Sequence, residues 1–291
     1  LKFILLIFFV LAIRLDNAEL YKFGPYLFLT PPADSAIVKQ LYRTVVEYEP
    51  VFQEAYRCTL RQDVVICIPQ SDRDYFKTIE SALPDWSGGV ALPDQRMVIL
   101  RPGIYFNPRE YREVLLHELA HIYMADKADS SSVPSWFNEG LAMSVSGQTF
   151  SWDDHLVISS AVISDNLLGL DEVDKMLVFG LAKARLAYAQ SLLAVQFLIR
   201  NHGSGVAGEI LDGLAAQKNW DQVFEQVTGS DNKQFTLDLQ HFIQKEYRWA
   251  FLLQVKNLFW IVLVFLFLLG FILIKIRNRR ILKEWEKNDS T

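Results

Sequence analysis

Cysteine is almost missing from this chain: Cys58 and Cys67 are the whole supply among 291 residues. Two cysteines exclude a disulfide-stapled scaffold and a four-cysteine zinc knuckle. The pair sits in RCTLRQDVVIC, which fits either a disulfide between neighbouring strands of an exported domain or two small buried side chains. A strong excess of positive charge is also missing. The net charge is -5, with acids and bases interspersed, so no basic stripe tracks a phosphate backbone and no nucleic-acid partner is expected. No internal repeat or low-complexity segment occurs, which removes solenoids and linker-like chains. Histidine is scarce at five residues, and that scarcity makes the spacing of each one informative.

The apolar share of 51% and aromatic share of 13% exceed what a soluble domain needs. The excess sits at the two ends. LKFILLIFFVLAIRLDNAEL has Lys2, an apolar stretch from Phe3 to Ile13 and small Ala18, the layout of a secretory signal over 1–18, with an uncleaved anchor as the alternative. Near the other end, Leu258 to Ile274 reads LFWIVLVFLFLLGFILI without a charge, long enough at about 1.5 Å per residue to cross a bilayer with slight thinning. Lys275, Arg277, Arg279, Arg280 and Lys283 follow it, against Arg248 and Lys256 before it. The positive-inside rule then puts 276–291 in the cytoplasm and the body outside, with 256–275 as a single transmembrane helix in the cell membrane. A body over 19–248 remains, the size of one ordinary domain.

Within that body, apolar residues three and four apart predict a helix from Asp34 to Tyr56. β-Branched Asp63 to Ile68 predicts a strand, Asp72 to Ser81 a helix, and QRMVIL from Gln95 to Leu100 a second strand closed by Arg101-Pro102-Gly103. Gly88-Gly89 ahead of Val90-Ala91 marks a strand that another backbone approaches closely. Asn107-Pro108-Arg109-Glu110 is a helix start, with Asn as cap, Pro at the first position and Glu at the third, for a helix reaching about Ala125. Ser135 is placed to cap the next, running through Met143 and stopped by Gly147. Beyond Leu167 the pattern is helical: Leu170–Gly180, Leu186–His202, Val206–Gln217, Trp220–Val227 and Lys233–Trp249. A mixed first half followed by an all-helical second half is an α+β domain.

Inside the helix begun by Asn107 stands HELAH. His117 and His121, four apart, project from one face and can bind one cation, while Glu118 lies beside it, where a general base for hydrolysis must be. Val114, Leu115, Leu119, Ile122 and Tyr123 cover the other faces, so the three polar groups are buried and need a shared partner. Glu139, in PSWFNEGLA on the next helix, is the third ligand candidate. Two imidazoles, one carboxylate and a free position are the ligand set of a catalytic zinc, though the same donors take cobalt or manganese. Asn138 is placed to steady the site from behind. His155, His202 and His241 read as surface or capping residues, His202 standing just before Gly203.

HELAH followed by WFNEGLA resembles the gluzincins, the zinc peptidase clan of thermolysin and the M1-type aminopeptidases. WSGGVALPDQRMVIL, VPSWFNEGLAMSVSG and AYAQSLLAVQFLIRNHG extend the likeness to the peptidase MA-like metallohydrolases, over approximately Tyr75 to Tyr247. The resemblance implies a zincin-like domain with one Zn2+ held by His117, His121 and Glu139, Glu118 as base, and a peptide or protein substrate. It gives Gly88-Gly89-Val90-Ala91 the part of a sheet edge on which an extended substrate pairs, beside the alternative of a plain turn and core strand. That stretch offers no glutamate to hold a free amino terminus, which favours endopeptidase action. Tyr188, in AYAQS, is the candidate donor to the oxyanion by position and by likeness, or else a core tyrosine. The competing function is a noncatalytic zinc-containing binding or sensory module tethered to the membrane, against which an intact Glu118 argues. Cleavage within the bilayer is excluded by Glu110, Arg112 and Glu113 on the HELAH helix.

Overall fold

The computed structural model describes residues 18–32, 35–79, 88–102, 108–129, 132–175, 179–216, 219–248 and 255–288. The signal-like stretch over 1–18, apart from Ala18, and the Asn107 cap lie outside them. The elements in chain order are β1 (Glu19–Phe23), β2 (Tyr26–Thr30), α1 (Ser35–Tyr56), β3 (Val64–Cys67), α2 (Asp72–Thr78), β4 (Gly89–Leu92), β5 (Met97–Leu100), α3 (Pro108–Lys127), α4 (Ser135–Val145), α5 (Trp152–Ile163), α6 (Leu170–Val173), α7 (Leu181–His202), α8 (Val206–Ala215), α9 (Trp220–Thr228), α10 (Asn232–Tyr247) and α11 (Val255–Asn288). The chain divides into two units. The first holds the sheet, α1 to α4, α6 to α9 and the start of α10; the second takes 151–167 and 241–291, with α5, the end of α10 and α11. The α+β expectation therefore holds, with a small N-terminal sheet and a helical remainder.

The sheet runs in the order β1-β2-β3-β5-β4. β2, β3 and β5 are parallel, and each end is closed by an antiparallel strand. Every residue of β2, β3 and β5 is buried, as parallel strands covered on both faces must be. Leu27, Leu29, Val65, Cys67, Met97 and Ile99 point to one face and meet Tyr75 and Ile79. On the other face Tyr26 lies beside Tyr123 of α3, and α1 joins through Phe52, stacked on Tyr123 at 4.8 Å. The two cysteines are on opposite sides of this arrangement. Cys67 belongs to the α2 face, whereas the Cys58 thiol approaches the Tyr123 carbonyl of α3. Both are free, so of the two sequence readings the small-side-chain one describes this structure.

Two features lie where the sequence reading assigned no element: the β1–β2 hairpin ahead of the first helix and, after Gly147, α5. Its N-terminus carries a capping box, with the Ser151 hydroxyl accepting from Asp154 N–H and the Asp154 carboxylate accepting from Ser151 N–H. Ser135 is the first residue of α4 instead of its cap. The Asp174 carboxylate receives the Trp136 N–H at that end.

In the second unit, Phe259–Ile281 of α11 is the candidate membrane span, with a mean hydropathy of 2.9 and none of it buried. It takes in all but Leu258 of the charge-free run picked out from sequence. A helix with apolar side chains all round and no protein cover is compatible with a single-pass anchor.

Candidate metal centre

α3 positions three of the candidate residues, and its own approach to the sheet depends on Gly89. A Cβ there would lie 2.8 Å from a Val114 methyl and 2.9 Å from Glu118 Cγ. The glycine thus marks a close approach, as expected, but the partner is a pair of α3 side chains and not a backbone. β4 is the sheet's outer strand on this side. The Ala91 N–H of that strand donates to the Glu118 carboxylate.

α4 brings the fourth residue. Trp136 and Phe137 anchor it against Trp220 at ring separations of 5.7 and 5.1 Å, and Trp136 stacks on Phe235 at 5.8 Å. Gly140 then lets α4 lie directly on α7, because a Cβ at that position would come within 2.2 Å of the Ser191 carbonyl oxygen. Between these two contacts, Glu139 turns toward α3.

The outcome is a compact donor set. His117 Nε2 lies 3.3 Å from His121 Nε2 and 3.2 Å from Glu139 Oε2, and His121 Nε2 lies 3.8 Å from the same oxygen. Four donors at about 2.0–2.1 Å around a tetrahedral zinc are about 3.3 Å apart, so these three fit a zinc-sized cation without rearrangement. Two imidazole lone pairs facing each other and a carboxylate also repel unless a proton or cation lies among them. His121 Nδ1 is 3.1 Å from Asn138 Oδ1. The Nδ1–H donates there, which leaves Nε2 unprotonated and aimed at the cluster. His117 Nδ1 is buried and without a hydrogen-bond partner among the described residues.

Burial and mutual charge set the proton affinities. Burial works against a charge on His117, but the hydrogen bond to Glu139 and the charges of Glu118 and Glu139 outweigh it, so its pKa is raised. Burial likewise opposes the Glu139 carboxylate, and His121 and His117 outweigh it in turn, so its pKa is lowered. Glu118 differs. Burial raises its pKa above the carboxylate range, only partly offset by the two histidines and the Ala91 N–H. A carboxylate outside the donor set with a raised proton affinity is suited to take a proton and return it.

Tyr188 lies on α7. Burial raises its pKa, and the nearby negative charges of Glu139 and Glu118 raise it further, so the phenol keeps its proton and is within electrostatic reach of both carboxylates. Tyr56, at the end of α1 and not singled out from sequence, is fully buried and raised by burial, with Cys58 and Glu139 adding to it. The other histidines are elsewhere: His155 stacks on Tyr247 at 5.6 Å, His241 lines a groove of the second unit, and His202 is exposed at the end of α7. Among the described residues, His117, His121 and Glu139 form the one group able to hold a metal ion.

Two imidazoles and a carboxylate converging beside a second carboxylate outside the donor set, on an α+β frame, define a metallohydrolase class of site. The chain belongs to the Peptidase MA superfamily, whose profile matches residues 53–245. No curated protein matches it. The match takes in β3, β4, β5, α3, α4, α7 and the last turn of α1, and begins earlier than the likeness read from sequence.

Proposed function

We propose that the protein is a membrane-anchored, extracytoplasmic zinc metallopeptidase of the gluzincin type, acting as an endopeptidase. The observation that carries this reading is the convergence of His117, His121 and Glu139 within 4.8 Å of one another in a Peptidase MA chain, with Glu118 beside them. His117, His121 and Glu139 would hold the ion. Zinc, when bound there, supplies Lewis acidity to a peptide carbonyl and acidifies water. Glu118 accepts the proton of the attacking water and passes it to the leaving amine. Tyr188 donates a hydrogen bond to the oxyanion. β4, the outermost strand, supports pairing with an extended peptide, which aligns its carbonyl with Glu118. The body over 19–248 would face outward on the 256–275 helix, with 276–291 in the cytoplasm.

The test begins with elemental analysis of the purified full chain, where about one zinc per protein is expected. Glu118→Gln should retain that metal and lose hydrolysis of a mixed peptide library by about a hundredfold or more. A variant that keeps wild-type turnover removes Glu118 from the reaction. A metal-free wild type removes zinc.

A further inference from the structure

A groove of about 650 Å3 in the second unit is lined by Val162 and Ile163 from α5 and by His241, Gln244, Lys245 and Arg248 from the last turns of α10 and just beyond. His241, Lys245 and Arg248 are spaced four and three apart, which puts them on one helical face, whereas Glu246 falls well round the helix at roughly 100° per residue. No carboxylate is among the described residues that line it. Ile163 is exposed at 56%, so an apolar wall faces water next to the cations. The groove also sits next to the anchor in the chain. Arg248 is seven positions before Val255, where α11 begins, and the candidate span Phe259–Ile281 follows. At no more than about 3.5 Å per residue, Arg248 lies within about 25 Å of the start of α11, so the groove stays within reach of a membrane that the span enters.

We propose that this groove binds the headgroup of an anionic phospholipid. Lys245 and Arg248 would donate to the phosphate, His241 and Gln244 to the ester and glycerol oxygens, and Val162 with Ile163 would receive the first methylenes of an acyl chain. A lipid is favoured over free phosphate because the cations are exposed and share the groove with an apolar wall, which inorganic phosphate has no means to cover. The proposal rests on the membrane-anchored reading above and not on the peptidase chemistry.

The experiment uses the full chain in lauryl maltoside micelles with dioctanoyl phosphatidylglycerol, dioctanoyl phosphatidylcholine or inorganic phosphate, counting retained adducts by native mass spectrometry. Phosphatidylglycerol should be retained over phosphatidylcholine by about fivefold for each cation engaged. Lys245→Gln with Arg248→Gln should abolish that preference at an unchanged unfolding temperature, and His241→Gln should reduce it. Equal retention of the two lipids, or a preference that survives the double variant, overturns the site. Displacement of the lipid by equimolar inorganic phosphate overturns the lipid assignment. Alkaline carbonate extraction of membranes separates the two readings. A protein released by carbonate that still prefers phosphatidylglycerol has lost its anchor reading but kept this site, and one that stays behind without the preference has lost the site alone.

Discussion

A single methyl group at position 140 would meet the Ser191 carbonyl oxygen at 2.2 Å, a backbone atom that cannot rotate away. Gly140→Ala is therefore expected to push α4 off α7, lowering stability by about 1–3 kcal/mol. Glu139 moves with its neighbour, so zinc affinity should fall in the same variant; denaturant unfolding and a zinc titration measure the two effects, and unchanged affinity would show that Glu139 is placed by something else. Protonation of the donor set gives a second expectation. His117, raised above its usual 6.5, stabilises the metal-free fold fully below that value and ceases to as pH climbs past its folded pKa. Glu139, lowered from 4.5, stabilises above that value and ceases to as pH falls past its folded pKa. Glu118, raised from 4.5 by burial, favours the fold fully below that value and ceases to as pH climbs past its folded pKa. Without metal, His117 and Glu139 together should thus contribute most between about 4.5 and 6.5, and Glu118 weights that optimum toward its lower end. On the proposed zinc reading the ion would take the place of the His117 proton, so its gain in unfolding temperature should grow with pH across and above that window. A gain independent of pH, with and without chelator, would contradict the proton exchange.

The helix carrying HELAH is legible because its polar residues share one face and its apolar residues fill the rest, a pattern only a buried helix with a common polar partner satisfies. Pairing it with Glu139 is legible as a motif, but not the reason Glu139 arrives: the clash partner of Gly140 lies in α7, and nothing near NEG marks that contact. Trp136 and Phe137 belong to the same recognised fragment, yet their anchoring role depends on Trp220, Phe224 and Phe235, far along the chain. The β1–β2 hairpin escaped because all of Tyr26–Thr30 is buried, leaving no alternation to read. α5 is a different case, since its Ser151 and Asp154 capping box was present in the sequence as a signal. Trp136→Ala should cost about 3–5 kcal/mol as the aromatic cluster loses its central ring. Near-ultraviolet circular dichroism would report that loss, and a variant as stable as wild type would place the anchor of α4 elsewhere.

For the molecule as a whole, Phe259–Ile274 of α11 presents apolar side chains all round, with none of the described residues burying it. The full chain should remain in the membrane pellet after alkaline carbonate washing, and recovery in the supernatant would make α11 a soluble contact surface instead. At the far side of the five-stranded sheet from β1, β4 is only four residues long and, among the described residues, pairs with β5 alone. A folded globular protein has its strands already paired within itself and has none to lend to such a short rim. On the proposed reading, what can slot in there is slack polypeptide: an unravelled tail, a nascent stretch or a damaged chain. The clientele of this protein would then be decided by whether a segment has come undone, before any side chain of it is inspected.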